Sequence, residues 1–244
     1  MQQRRVRWIS GAASAIATRL DLNANPGGVV AHCLTGSEDS DTGRFIDDCE
    51  QWLGVEIVRL KNPDFNSTWE VWEKRRYMSG IAGAPCTSEL KIWPRMQFEE
   101  EGDVHIFGYT ADRRDVERAE HFRTNYPATS METPLISSGL TKSSCLAMVE
   151  TAGIKPPRVY AMGFSNANCI PCVKATSPNY WALVRREFPE EFARAAKLSR
   201  EIGCRLARLN GERIFIDEIP ADHPVTEAIA PACDFLCHIH GVDL

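Results

Sequence analysis

No run of apolar residues in this chain of 244 approaches the roughly 20 needed to cross a bilayer, so no membrane partner is expected. The opening, Met1-Gln2-Gln3-Arg4-Arg5, soon reaches polar, small-residue sequence and has no apolar core of a secretion signal, which points to a cytoplasmic location. Charge of one sign is also lacking. Lys and Arg number 28 against 33 Asp and Glu, and the net charge of −5 leaves no footprint of strong nucleic-acid binding. Internal repeats, low-complexity segments and an interdomain linker are absent too. The length suits one α/β domain with a sizeable core, residues 1–178, and a C-terminal extension, residues 179–244, packed on the same core.

Cysteine is the residue present in excess. There are nine, an odd number, and reducing conditions disfavour a disulfide framework. Cys33, Cys49, Cys145 and Cys204 fall in apolar-periodic segments without close cysteine neighbours and read as small buried residues. The other five cluster. Cys169 and Cys172 form C-x-x-C, Cys233 and Cys237 form C-x-x-x-C, and Cys86 sits in a Pro/Gly-rich turn. Such spacing is the mark of metal or redox chemistry.

The hydrophobic pattern alternates between strand and helix periods. Val6–Ile9 is β-prone and ends at Ser10-Gly11-Ala12-Ala13-Ser14, after which a helical pattern runs to Leu22. A strand, a small-residue loop and a helix in that order make a phosphate-binding unit, because the helix start offers free backbone N–H groups. Further strands are expected at Val29–Leu34, Val55–Leu60 and Ile106-Phe107. Helices are expected around Phe45–Leu53 and over Leu140–Ala152, Asn179–Arg186 and Glu190–Ile202, and Asn210-Gly211 signals a hairpin. Alternation of this kind implies a Rossmann-like parallel sheet with helices on both faces and a small helical and hairpin extension.

Four ordered segments resemble the PAPS and APS reductases and their PP-loop relatives. Ser10-Gly11-Ala12-Ala13-Ser14-Ala15 stands where that family has S-G-G-x-D-S, with Ala12 for the second Gly, Ser14 for the Asp and Ala15 for the last Ser. Thr35-Gly36 followed by Asp41-Thr42-Gly43-Arg44-Phe45-Ile46-Asp47 is similar to D-T-G…E-T…R-F-I-D, with Leu34 where the Asp usually sits. Cys86-Thr87-Ser88-Glu89-Leu90-Lys91-Ile92-Trp93-Pro94 resembles C-C-x-x-R-K-x-x-P, with Thr87 for the second Cys and Leu90 for the Arg. Gly163–Lys174, which contains Cys169 and Cys172, resembles the family's G-Y…C-x-x-C stretch. These segments span roughly Trp8 to Lys174, and their particular forms look most like a subgroup common in phages and mobile elements.

The resemblance implies an oxidoreductase that binds an adenine sulfonucleotide, APS or PAPS, through Ser10, Gly11, Ala12, Ser14, Thr35, Gly36 and Arg118. Lys91 would neutralise phosphate or sulfonate oxygens. Cys86, Cys169 and Cys172 would hold a 4Fe–4S cluster, with Cys233 or Cys237 folding in to replace the ligand lost at Thr87, unless one iron stays open. Cys237, in Leu236-Cys237-His238-Ile239-His240, is equally a candidate nucleophile, later resolved by thioredoxin or glutathione. The paired Arg113-Arg114 is displaced from the family's sulfate-reading arginines and has an ordinary surface explanation. Two other readings stay open. One is an ATP-dependent PP-loop enzyme, using Mg²⁺ and delivering sulfur in nucleic-acid thiolation. The other is a non-catalytic nucleotide- or nucleic-acid-binding cluster protein. The oligomeric state is not encoded in any of these features.

Overall fold

The computed structural model describes residues 3–227 and residue 229. Cys233 and Cys237, and with them the expected fourth ligand and the expected nucleophile, lie outside the described residues.

The chain begins with β1 (Arg5–Trp8), α1 (Ala12–Ala24), β2 (Val29–Cys33), α2 (Asp41–Leu53) and β3 (Ile57–Leu60). Next come α3 (Thr68–Arg75), a helical run made of α4 (Pro85–Thr87), a π-helical turn (Ser88–Ile92) and α5 (Trp93–Phe98), then β4 (Val104–Ile106) and α6 (Arg113–Asn125). After β5 (Ser130–Glu132) come α7 (Pro134–Ser137) and α8 (Lys142–Thr151). Last are α9 (Pro178–Glu187), α10 (Pro189–Ile202) and the antiparallel hairpin β6 (Ala207–Leu209) and β7 (Glu212–Ile214).

All five strands of the main sheet run parallel, in the order β3-β2-β1-β4-β5. The chain moves outward from β1 to β3, then crosses back to lay β4 on the other side of β1. Right-handed crossovers therefore put helices on both faces, and the reversal beside β1 opens a crevice at the strands' carboxyl ends. The expected Rossmann-like parallel fold is what forms.

The core explains why these segments hold. Ile16 of α1 is fully buried, and Phe45, Ile46 and Cys49 present one face of α2 to the same cluster. Trp181, Leu183, Val184 and Ala195 of α9 and α10 belong to that cluster as well, so the two helices share the core of the sheet. Arg7 is the exception among these apolar groups. Fully buried on β1, it donates to Asp21 Oδ2 at 2.6 Å and to the carbonyls of Asn25 and Gly27 at the end of α1. A buried guanidinium is tolerable only with that full set of acceptors.

Candidate functional site

The crevice at the strand reversal is a cleft of about 430 Å³. Its floor is the carboxyl ends of three neighbouring strands: His32 and Cys33 of β2, Trp8 to Gly11 after β1, and Phe107 to Tyr109 after β4. Pockets of this size at such a switch point are the usual place for a small ligand in an open α/β sheet.

The loop after β1 is built around Ser14. Its Oγ accepts from the amides of Ser10 (2.8 Å) and Gly11 (3.0 Å) and donates to the Gly11 carbonyl (2.8 Å). The Ala12 amide donates to the Tyr160 hydroxyl at 3.3 Å. The amides of Ala13 and Ser14 follow in the first turn of α1, where backbone N–H groups have no carbonyl partner within the helix. An anion there would meet these donors and the positive end of the helix dipole. Gly108 keeps this arrangement tight: a Cβ on it would sit 2.6 Å from the backbone of Ser14, so only glycine lets the end of β4 approach the loop.

Two cations flank the loop. Lys142, at the start of α8, lines the cleft and donates from Nζ to Asn166 Oδ1 at 2.6 Å. Burial pushes its pKa below the ordinary lysine value, against the pull of Asp115 and Asp112. Arg118 lines the same wall, donates to Asp115 Oδ1 at 2.9 Å and lies over the Tyr109 ring at 5.2 Å. Arg118 was expected from the sequence. Lys142 was not, because a lysine one residue after a Thr N-cap carries no signal of its own.

The cleft is also lined by Cys33, Glu38, Thr87, Lys91 and Lys174. Lys91 interacts electrostatically with Cys169, Glu38, Cys172 and Cys33; burial lowers its pKa, and these four neighbours outweigh that, leaving it raised. The segment bearing Cys169 is pinned by an antiparallel bridge between Glu38 and Cys169 and by the Ile170 amide donating to the Ser37 carbonyl at 2.7 Å. Thr35 Oγ1 lies 3.0 Å from Cys169 Sγ, and the Cys172 amide donates to Tyr180 Oη at 2.6 Å. Burial pushes the Cys169 thiol up to about 12, with Lys91 pulling it down, and raises the Cys86 thiol as well.

Ser10, Gly11, Ser14, Lys91 and Arg118 are thus brought into one cleft, with Ala12 behind it. Thr35 and Gly36 do not line it. Thr35 is buried against Cys169, and a Cβ at Gly36, whose φ is +62°, would fall 1.8 Å from the Asn66 carbonyl oxygen. Cys33 differs from its sequence reading: Cys49 and Cys145 are fully buried, whereas Cys33 is half-buried and faces the cleft.

The thiols can be weighed as a ligand set. Cys86 and Cys169 each interact electrostatically with Cys172, and these partly buried thiols are soft donors of the type a thiolate-held cluster takes, though burial holds Cys86 and Cys169 toward the protonated form. No three His, Cys, Asp or Glu side chains among the described residues stand together as a ready metal site.

No family model matches the chain, and no curated protein matches it by sequence. Solved structures do match. Among them is phosphoadenylyl-sulfate (PAPS) reductase from Candida auris in its phosphate complex, with 9% identity over 69% of this chain and 82% of that one, at a TM-score of 0.52. The chain has a PAPS-reductase-like fold.

Proposed function

We propose that this chain is an adenine-nucleotide enzyme of the sulfonucleotide-reductase type, taking APS or PAPS and releasing sulfite by thiol chemistry. The observation behind this reading is a single cleft that joins the open start of α1 to Cys33, Lys91 and Lys174, with Cys169 and Cys172 outside its lining but in electrostatic reach of Lys91. The nucleotide phosphate would sit on the amides of Ala13 and Ser14 with Lys142 beside it, and the sulfonate would extend toward Lys91 and Lys174.

A cysteine thiolate attacks the sulfonate sulfur, and the bond from sulfur to the phosphate oxygen breaks. AMP or 3′,5′-ADP leaves with the bonding pair, and the enzyme carries S-sulfocysteine. A thiolate of thioredoxin or glutathione then attacks the cysteine sulfur and expels sulfite. The resulting mixed disulfide is resolved by a second donor thiol, which completes the two-electron reduction. Cys237 is the proposed nucleophile. Cys86, Cys169 and Cys172 are proposed ligands of a 4Fe–4S cluster, with Cys233 as the fourth. A bound cluster held by four thiolates would be net anionic, and Lys91 would offset that charge.

The test is sulfite release from APS and from PAPS with thioredoxin present. The expected result is turnover of one of them, with Cys237→Ser binding nucleotide but releasing no sulfite. Pyrophosphate release from ATP without sulfite formation would replace this reading with the ATP-dependent one. An anaerobic preparation is expected to carry about four irons and matching acid-labile sulfide per chain; zinc alone would overturn the cluster assignment.

A further inference from the structure

The two segments that carry Cys86 and Cys169 are tied together through α3. At its start, the Thr68 amide and hydroxyl both donate to Ser37 Oγ, at 3.1 Å and 2.9 Å. Ser37 in turn accepts the Ile170 amide on its carbonyl, next to Cys169. At its other end, Arg75 pairs with Glu89 in the π-helical turn that follows Cys86. Asn62, in the loop before α3, donates to the Glu89 carbonyl at 2.8 Å. One short helix thus fixes the spacing of the two segments.

Trp72 stands within α3 and is fully buried. Its ring is set by Trp69, edge-on at 5.0 Å and 77°. Even so, its Nε1 has no hydrogen-bond partner among the described residues. A buried donor left unmet costs about 1–3 kcal/mol, and a phenylalanine in the same core would avoid that cost. The polar atom the indole N–H acts on is the Cys86 sulfur, short of full hydrogen-bond geometry. A neutral thiol is a weak acceptor and draws the N–H poorly. A thiolate, free or bound to a metal, is a strong one. Lys174 and Lys91 act on the same sulfur, so cations and an unmet donor converge on it.

We infer that Trp72 is a positioning residue for Cys86, its indole N–H held ready for the anionic sulfur and closing on it when Cys86 binds metal. The inference rests on the proposed role of Cys86 as a ligand and extends it to the helix behind the thiol. A hydrogen bond to a ligating sulfur steadies that ligand and favours the form of the bound group that carries the extra electron. α3 then serves both segments: Ser37 and Thr68 set their distance, and Trp72 supports the charge on Cys86.

The experiment compares the full chain with Trp72→Phe and with a benzothienyl analogue of tryptophan at the same position, which keeps the ring shape and lacks the N–H. After anaerobic reconstitution with iron and sulfide, iron content and the reduction midpoint are measured. Both replacements are expected to shift the midpoint to a more negative potential; loss of iron from the analogue would support the inference as well. The metal-free proteins give a second arm, the rate at which iodoacetamide labels Cys86 at fixed pH, with Cys204 as internal control. Each replacement is expected to slow Cys86 about three-fold, the net of a lost charge-assisted bond and the greater nucleophilicity of a more basic thiolate, and to leave Cys204 unchanged. An unmoved midpoint in the iron-loaded analogue, or equal Cys86 labelling with and without the N–H, would overturn the inference. Absence of iron from the unmodified chain would instead overturn the cluster assignment, and the labelling arm would still decide the role of Trp72.

Discussion

Lys142 is the side chain whose removal separates phosphate binding from the rest of the site. It lines the same cleft as the first turn of α1 and is held by Asn166. Lys142→Met, which keeps the stem, is expected to weaken AMP and pyrophosphate alike by about ten-fold, the worth of one charge-assisted contact. Titration calorimetry at fixed salt checks it. Gly108→Ala tests the same site through the backbone. Its methyl would collide with Ser14, so nucleotide binding should fall sharply while stability drops by about 1–3 kcal/mol. Cys169 offers a pH readout. With its thiol pushed up to about 12 by burial, the folded, ligand-free protein keeps it protonated at neutral pH. Its alkylation rate, followed by peptide mapping, should still climb about ten-fold per pH unit between pH 8 and 10, where an unperturbed thiol levels off.

At the scale of elements, the start of α2 shows how a segment can look like a binding motif and serve as a joint. Asp41 accepts from Arg44 Nε at 2.7 Å and from the Arg158 amide at 2.8 Å, tying α2 to the segment that leads to the cysteines. The hydrogen bond from Arg44 lowers its pKa to about 2. A lowered carboxylate stabilises the fold above its unfolded value and ceases to do so as pH falls through the folded one. Asp41→Asn should therefore cost about 1 kcal/mol at pH 7, allowing for partial exposure, with the gap closing between pH 4 and 2. Urea titrations across that range measure it. The main elements could be read directly because α2, α9 and α10 carry clean apolar faces and β2 and β3 are rich in Val and Ile. Other elements could not. α3 starts at Ser67, whose hydroxyl caps the Glu70 amide, but its polar sequence hides the turn. β5 is three residues long and has no buried member. In the site, loop and cysteine spacing were legible locally, whereas Lys142 and Cys33 come together only through the sheet order.

Across the whole molecule, Arg7 and Asp21 join the central strand to the helix that carries the loop. Asp21 also pairs with Arg5, which reaches Glu132 at the end of β5, so one carboxylate serves two cations. Asp21→Ala would leave the buried Arg7 short of its anion and should cost about 3–5 kcal/mol, readable as a fall in thermal midpoint. The strand order that makes the cleft has a consequence during synthesis on the ribosome. β1 finds its first neighbour, β2, almost at once, yet the partner for its other edge begins with Val104 opposite Arg5. Until about a hundred residues have emerged, the central strand of the sheet offers an unpaired flank, so the nascent chain passes through a stage at which chaperone capture competes with aggregation.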